Sequence, residues 1–123
     1  MTGVLVIAHG DAVDPASSAA ARAATDAVRA RGCFDEVVFA APKEGPPPAQ
    51  LLAAMAAPRW VVPFFMADGW FVRTVVPRVL AAASVPFGVL PPVGASPGIV
   101  DAVLERAGSV PHAPAQTALV LLG

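Results

Sequence analysis

The chain has 123 residues, room for one domain with a substantial core and too few for two. Eight basic and nine acidic side chains leave a net charge of −1, without the basic footprint of a nucleic-acid binder. Charged residues make up 14% of the chain, against roughly 25% in an average globular domain, and 56% is hydrophobic. A parallel sheet buried on both faces consumes apolar residues in this way, and a buried subunit or domain interface would consume more.

In chain order, Val4 to Ala8 is a continuous apolar run led by β-branched residues, a buried strand that ends at His9-Gly10. Asp14-Pro15 is a helix start, with Asp14 as the cap and Pro15 in the first helical position. The alanine-rich helix runs to Arg31, and Gly32 stops it. Glu36 to Ala41 reads as a second strand, Lys43 to Pro48 as a stiff loop, and Ala49 to Ala57 as a short helix closed by Pro58. Trp60 to Phe65 is a third strand, in which Pro63 must sit where no ladder N–H is needed. Thr74 is the expected cap of a third helix, with Pro77 in its first turn, running to about Ala83. Phe87 to Leu90 is a short fourth strand. Ser96-Pro97 repeats the cap-plus-proline signal for a helix to Ala107, and Thr117 to Leu122 is a last strand.

Strands that alternate with helices imply right-handed crossovers. The expected fold is therefore α/β: a three-layer α/β/α domain on a four-stranded parallel sheet, flavodoxin-sized, with an extra C-terminal strand. No spanning helix is expected, because the longest charge-free stretch, Val79 to Val100, carries Pro86, Pro91, Pro92 and Pro97. No basic region precedes the first apolar run, so a signal peptide is not expected. The one cysteine, Cys33, permits no internal disulfide, which fits a cytoplasmic setting. Thr2 to Ala8 also echoes Thr117 to Gly123. In that register the counterpart of His9 falls just past Gly123, as expected of the N-terminal half of a duplicated protein.

Ligands of open parallel sheets sit off the carboxyl ends of the strands. Two segments end there: the one closing on His9-Gly10, and Trp60 to Arg78, which passes from strand into a loop of aromatics, an acid and a glycine. His9 suits a metal ligand or proton acceptor, and equally a histidine bonded to its own loop. A histidine phosphatase also opens strand-His-Gly, but wants an arginine where Ala8 stands. A flavodoxin-like binder of a phosphorylated ligand fits less well, since Asp11-Ala-Val-Asp14 is acidic where phosphate would lie.

Three blocks carry a resemblance: Leu5-Val-Ile-Ala-His9-Gly10; Pro63-Phe-Phe-Met66 with Gly69 and Pro77; and Val93-Gly94-Ala-Ser-Pro97. Over nearly its whole length the sequence resembles the sirohydrochlorin chelatases of the CbiX/SirB type. That resemblance implies a chelatase-like α/β/α fold and a lyase that inserts Co²⁺ or Fe²⁺ into sirohydrochlorin for cobalamin or siroheme, without a nucleotide. It also implies two such halves facing each other, as a homodimer or by pairing with a second half-domain. His9 matches the first histidine of the family, and would be both metal ligand and catalytic group. Glu44 falls close to the family's acidic residue after the second strand, a second catalytic candidate whose plain alternative is a solvated loop glutamate.

Gly10, Met66, Gly69, Trp70, Phe71 and Arg73 are the expected tetrapyrrole-binding residues. The aromatics Phe64, Phe65, Trp70 and Phe71 could wall a macrocycle or simply be core and interface, with Phe64 the core member. Arg73 and Arg78 could pair with substrate carboxylates or be ordinary surface charges. The sequence departs from the family at two points. Phe71 stands where the second histidine belongs, and Val75 where an aspartate is expected. One metal ligand and one acid are missing, which opens the alternative of a non-catalytic tetrapyrrole-binding or scaffolding half. Asp68 reads first as a turn residue, His112 as a loop histidine, and Cys33 as a small buried residue.

Overall fold

A computed structural model describes residues 2–11, 13–109, 118 and 120. His112 lies outside the described residues, as does the expected strand Thr117 to Leu122 except for Ala118 and Val120, neither of which is in a strand. Four parallel strands form one sheet in the order β2-β1-β3-β4: β1 Gly3–Ile7, β2 Glu36–Ala40, β3 Arg59–Pro63 and β4 Gly88–Val89. Every residue of β1 is buried, as its apolar run and central place require.

The strand alternation sorts side chains to two faces. Leu5, Ile7, Ala40 and Val61 point one way, onto Leu52 and Met55 from α2 (Pro48–Ala54) and its end and onto Val76 and Leu80 from α3 (Val76–Leu80). Val4, Val6 and Val37 point the other way, with Val62 and Phe64, toward Val28 of α1 (Ala19–Ala30). The three layers follow from that division. Pro63 is tolerated because its neighbour Phe64 donates its N–H to Ile7 on β1. Pro63 therefore turns its nitrogen toward β4, whose pairing with β3 stops at Val61.

Asp14 caps as expected: its carboxylate accepts from the Ala16 N–H in a 3₁₀ turn, Pro15–Ser18, that leads into α1. α2 starts one residue early and ends at Ala54. α4 (Gly98–Gly108) takes in Gly108, follows a 3₁₀ turn at Val93–Ala95, and exposes Val100 and Leu104. Cys33 is exposed, contrary to expectation, because it lies in the turn after α1 where residues 29–35 all face solvent. No described helix is long and apolar enough to cross a membrane.

The third helical segment differs most from expectation. Thr74 is not its cap. Helical backbone begins at Trp70, and Phe71–Val75 form a widened π turn closed by Val76 N–H to Phe71 C=O. Pro77 gives the reason. A proline in an α-helix collides with the carbonyl four residues back, here that of Arg73, and widening the turn ahead of it relieves the clash.

Candidate functional site at the carboxyl ends of β1 and β3

The chain leaves β1 for β2 on one side and returns through α2 to β3 on the other. The carboxyl ends of β1 and β3 therefore flank the switch point of the sheet, where a crevice forms. His9 follows β1, and the Phe64-to-Phe71 segment follows β3.

His9 is exposed. Its Nδ1 lies 2.6 Å from the Gly10 carbonyl oxygen. A carbonyl can only accept, so Nδ1 carries the hydrogen and Nε2 keeps the lone pair for a proton or a metal. The imidazole packs on Phe71, ring centres 4.7 Å apart and tilted by 35°, and Phe71 packs in turn on Phe65 at 4.7 Å. The π turn sets Phe71 at this spot. Met66 and Trp70 stand on the same rim, 66% and 68% exposed. Phe71 gives the imidazole an apolar neighbour.

Two glycines are demanded by these loops. Gly10 has φ of +70°, and a Cβ there would lie 2.6 Å from the Ala41 Cβ and 3.3 Å from the Glu44 Cγ. Only glycine lets the β1 loop lean on the β2 loop. At Gly94 a Cβ would meet the Met66 carbonyl oxygen at 1.8 Å, and the Gly94 N–H donates to the Phe65 carbonyl at 2.9 Å. The third sequence block is thus pressed against the second. Gly69 is different: a Cβ there meets none of the described residues within 4 Å. The chain's own packing gives no reason for that glycine.

Glu44 is not a solvated loop glutamate. Its side chain is 9% exposed. It accepts from the Asp11 N–H at 3.2 Å, from the Ser18 hydroxyl at 2.9 and 3.1 Å, and from Arg22 Nη2 at 2.8 Å. The Asp11 N–H, then Arg22 and Ser18, hold its carboxyl below the usual carboxylate range. The Asp11 carboxyl is lowered too, by the N–H groups of Val13 and Asp14. Ser18 and Arg22 escape a reading for site residues, although their spacing of four on one helix face was the available signal.

Arg73, within the π turn, is engaged by the loop that precedes it. Its Nε and Nη2 lie 3.2 and 3.1 Å from Asp68 Oδ2, both side chains largely in solvent. Asp68 so serves the loop, bracing Arg73 across Gly69 and Trp70. Among the described residues no group of three or more His, Cys, Asp or Glu side chains could hold a metal ion.

Residues 3–110 match the sequence profile of the family described as CbiX. The chain belongs to the CbiX family. A probable sirohydrochlorin cobaltochelatase of Halobacterium salinarum is 36% identical over 81 residues, 65% of this CbiX chain and 28% of the relative. A Deinococcus radiodurans structure, a multi-domain protein with structural similarity to chelatases and two additional novel domains, superposes with a TM-score of 0.81 at 27% identity. That match covers 90% of this chain and 29% of the other. The CbiX chain thus spans under a third of the length of both relatives. The fold also matches a putative cobalamin biosynthesis CbiX protein of Marinobacter aquaeolei, with a TM-score of 0.67 and 19% identity over 89% of this chain and 96% of that one.

Proposed function

We propose that this CbiX domain supplies one imidazole and one apolar wall of a site where Co²⁺ or Fe²⁺ is inserted into sirohydrochlorin or a related tetrapyrrole, in cobalamin or siroheme synthesis. The observation that carries the reading is the exposed His9 ring, seated on Phe71 at the switch point of the sheet.

Insertion requires a loosely held divalent metal and the loss of two pyrrole protons as the ring nitrogens take the metal. The lone pair on His9 Nε2 suits both needs, because imidazole is a fitting ligand for Co²⁺ and a proton acceptor near neutral pH. Phe71, Trp70 and Met66 would lie against the macrocycle. Arg73, within the π turn, would exchange Asp68 for a substrate carboxylate. The remaining metal ligands and the opposite wall would come from a second chelatase half, in the same longer chain or in a homodimer, working in the cytoplasm. That no group of three or more metal-binding side chains occurs among the described residues supports that arrangement.

A second reading has its own observation. By the family resemblance Phe71 stands where a second histidine is expected, and no described cluster completes a metal site. On that reading the domain binds tetrapyrrole and shapes a partner half without inserting metal. Sirohydrochlorin incubated with Co²⁺ separates the two, with ring absorbance and Trp70 fluorescence, read in a Trp60→Phe background, followed together. Metallation faster than with metal alone supports insertion. Quenching without added rate supports the binding half. Absence of both signals overturns both readings.

A further inference from the structure

We propose that Ser18, at the end of the 3₁₀ turn, and Arg22 of α1 are positioning residues that lock Glu44 beneath the His9 loop, and that Glu44 acts through this clamp rather than as a proton acceptor. The inference rests on the reading of His9 as the reactive imidazole.

The clamp is continuous. Arg22 Nη2 donates to Glu44 Oε2 at 2.8 Å, and Arg22 Nε lies 3.3 Å from the Ser18 hydroxyl. The Arg22 guanidinium also rests 4.2 Å above the Phe39 ring centre, which fixes its plane. The Ser18 hydroxyl, 2% exposed as a residue, donates to the same carboxylate. Glu44 Oε1 receives the Asp11 N–H, and the Glu44 methylene sits in the space that only a glycine at position 10 leaves open. Gly10 then presents the carbonyl that fixes the His9 tautomer. Donors from the β1 loop, the 3₁₀ turn and α1, neighbours in one crossover, converge on a carboxylate 22 or more residues further on, and its output is the placement of residues 9–11.

The same contacts argue against proton transfer by Glu44. Both oxygens are occupied by donors, one of them a guanidinium that stays charged. A carboxylate held this way is a weak base. Partners that orient a metal-binding histidine are commonly worth about 10- to 100-fold in metal affinity.

The test compares Arg22→Gln, Ser18→Ala, Glu44→Gln and Glu44→Ala in the intact chain, with folding checked by circular dichroism. The first readout is the ¹⁵N spectrum of the His9 ring at a fixed alkaline pH. The clamp predicts one Nδ1–H tautomer in the wild type and a mixture in Arg22→Gln, Ser18→Ala and Glu44→Ala. The second is Co²⁺ titration, weakened about 10-fold or more in those three variants. Glu44→Gln keeps one acceptor oxygen, for the Asp11 N–H, but turns an amide N–H toward Arg22, so it should fall between wild type and Glu44→Ala in both. An unchanged tautomer in all variants overturns the clamp. So does a Glu44→Gln chain that loses metallation while keeping the wild-type tautomer, since that result makes Glu44 a proton acceptor. The tautomer readout needs no chelatase activity, so it stands even if His9 proves unnecessary for metallation.

Discussion

The rings of His9 and Phe71 meet at 4.7 Å, across the two loops that leave the adjacent strands β1 and β3. A residue one position off in either loop would break that contact. On the proposed reading, the pair sets the metal-binding imidazole against a phenyl ring where the family resemblance expects a second histidine.

That contact makes a gain of function testable. Phe71→His would set two imidazoles side by side. Co²⁺ affinity should rise at least about tenfold, equivalent to ~1.4 kcal/mol of added ligation. Visible-absorbance titration measures it, and His9→Ala in the same background should cancel the gain. An unchanged affinity would mean that the two rings do not share an opening.

The glycines give a paired expectation for stability. Gly94→Ala forces a methyl against the Met66 carbonyl, and Gly10→Ala strains a positive φ while crowding Ala41. Each should cost about 1–3 kcal/mol in urea unfolding. Gly69→Ala meets open space and should stay within about 0.5 kcal/mol of wild type. Its effect should fall on tetrapyrrole binding instead, measured by Trp70 quenching in a Trp60→Phe background, if the macrocycle crosses that glycine.

Acid sensitivity follows from Glu44. Its carboxyl is held below the ordinary 4.5 in the folded chain. A depressed folded value means that the stabilisation is complete above the unfolded value and is lost as pH falls through the folded one. Wild type should therefore lose stability progressively below about pH 4.5. Glu44→Gln, which cannot titrate, should show a shallower loss. Urea midpoints measured from neutral pH down to about 3 give the comparison. Identical slopes would show that the clamp carries no protonation-linked stability.

Much of this architecture is legible in the sequence because the physics is local. The apolar run Val4 to Ala8 suits a strand buried on both faces, found one residue earlier as Gly3–Ile7, and Asp14-Pro15 carries its own cap. The start of the third helix was not legible, because Trp70 and Phe71 have no capping side chain. The π turn depends on how Pro77 fits behind Arg73. The setting of Glu44 was hidden for another reason: its partners Asp11, Ser18 and Arg22 come from the preceding crossover, and nothing around position 44 announces them.

The central claim is that the His9 imidazole takes part in tetrapyrrole metallation. Its most direct test is the initial rate of Co²⁺ entry into sirohydrochlorin with wild type and with His9→Ala, each corrected for metal alone. The account predicts a wild-type rate above that background and a His9→Ala rate reduced to it. Equal corrected rates for the two proteins would contradict it.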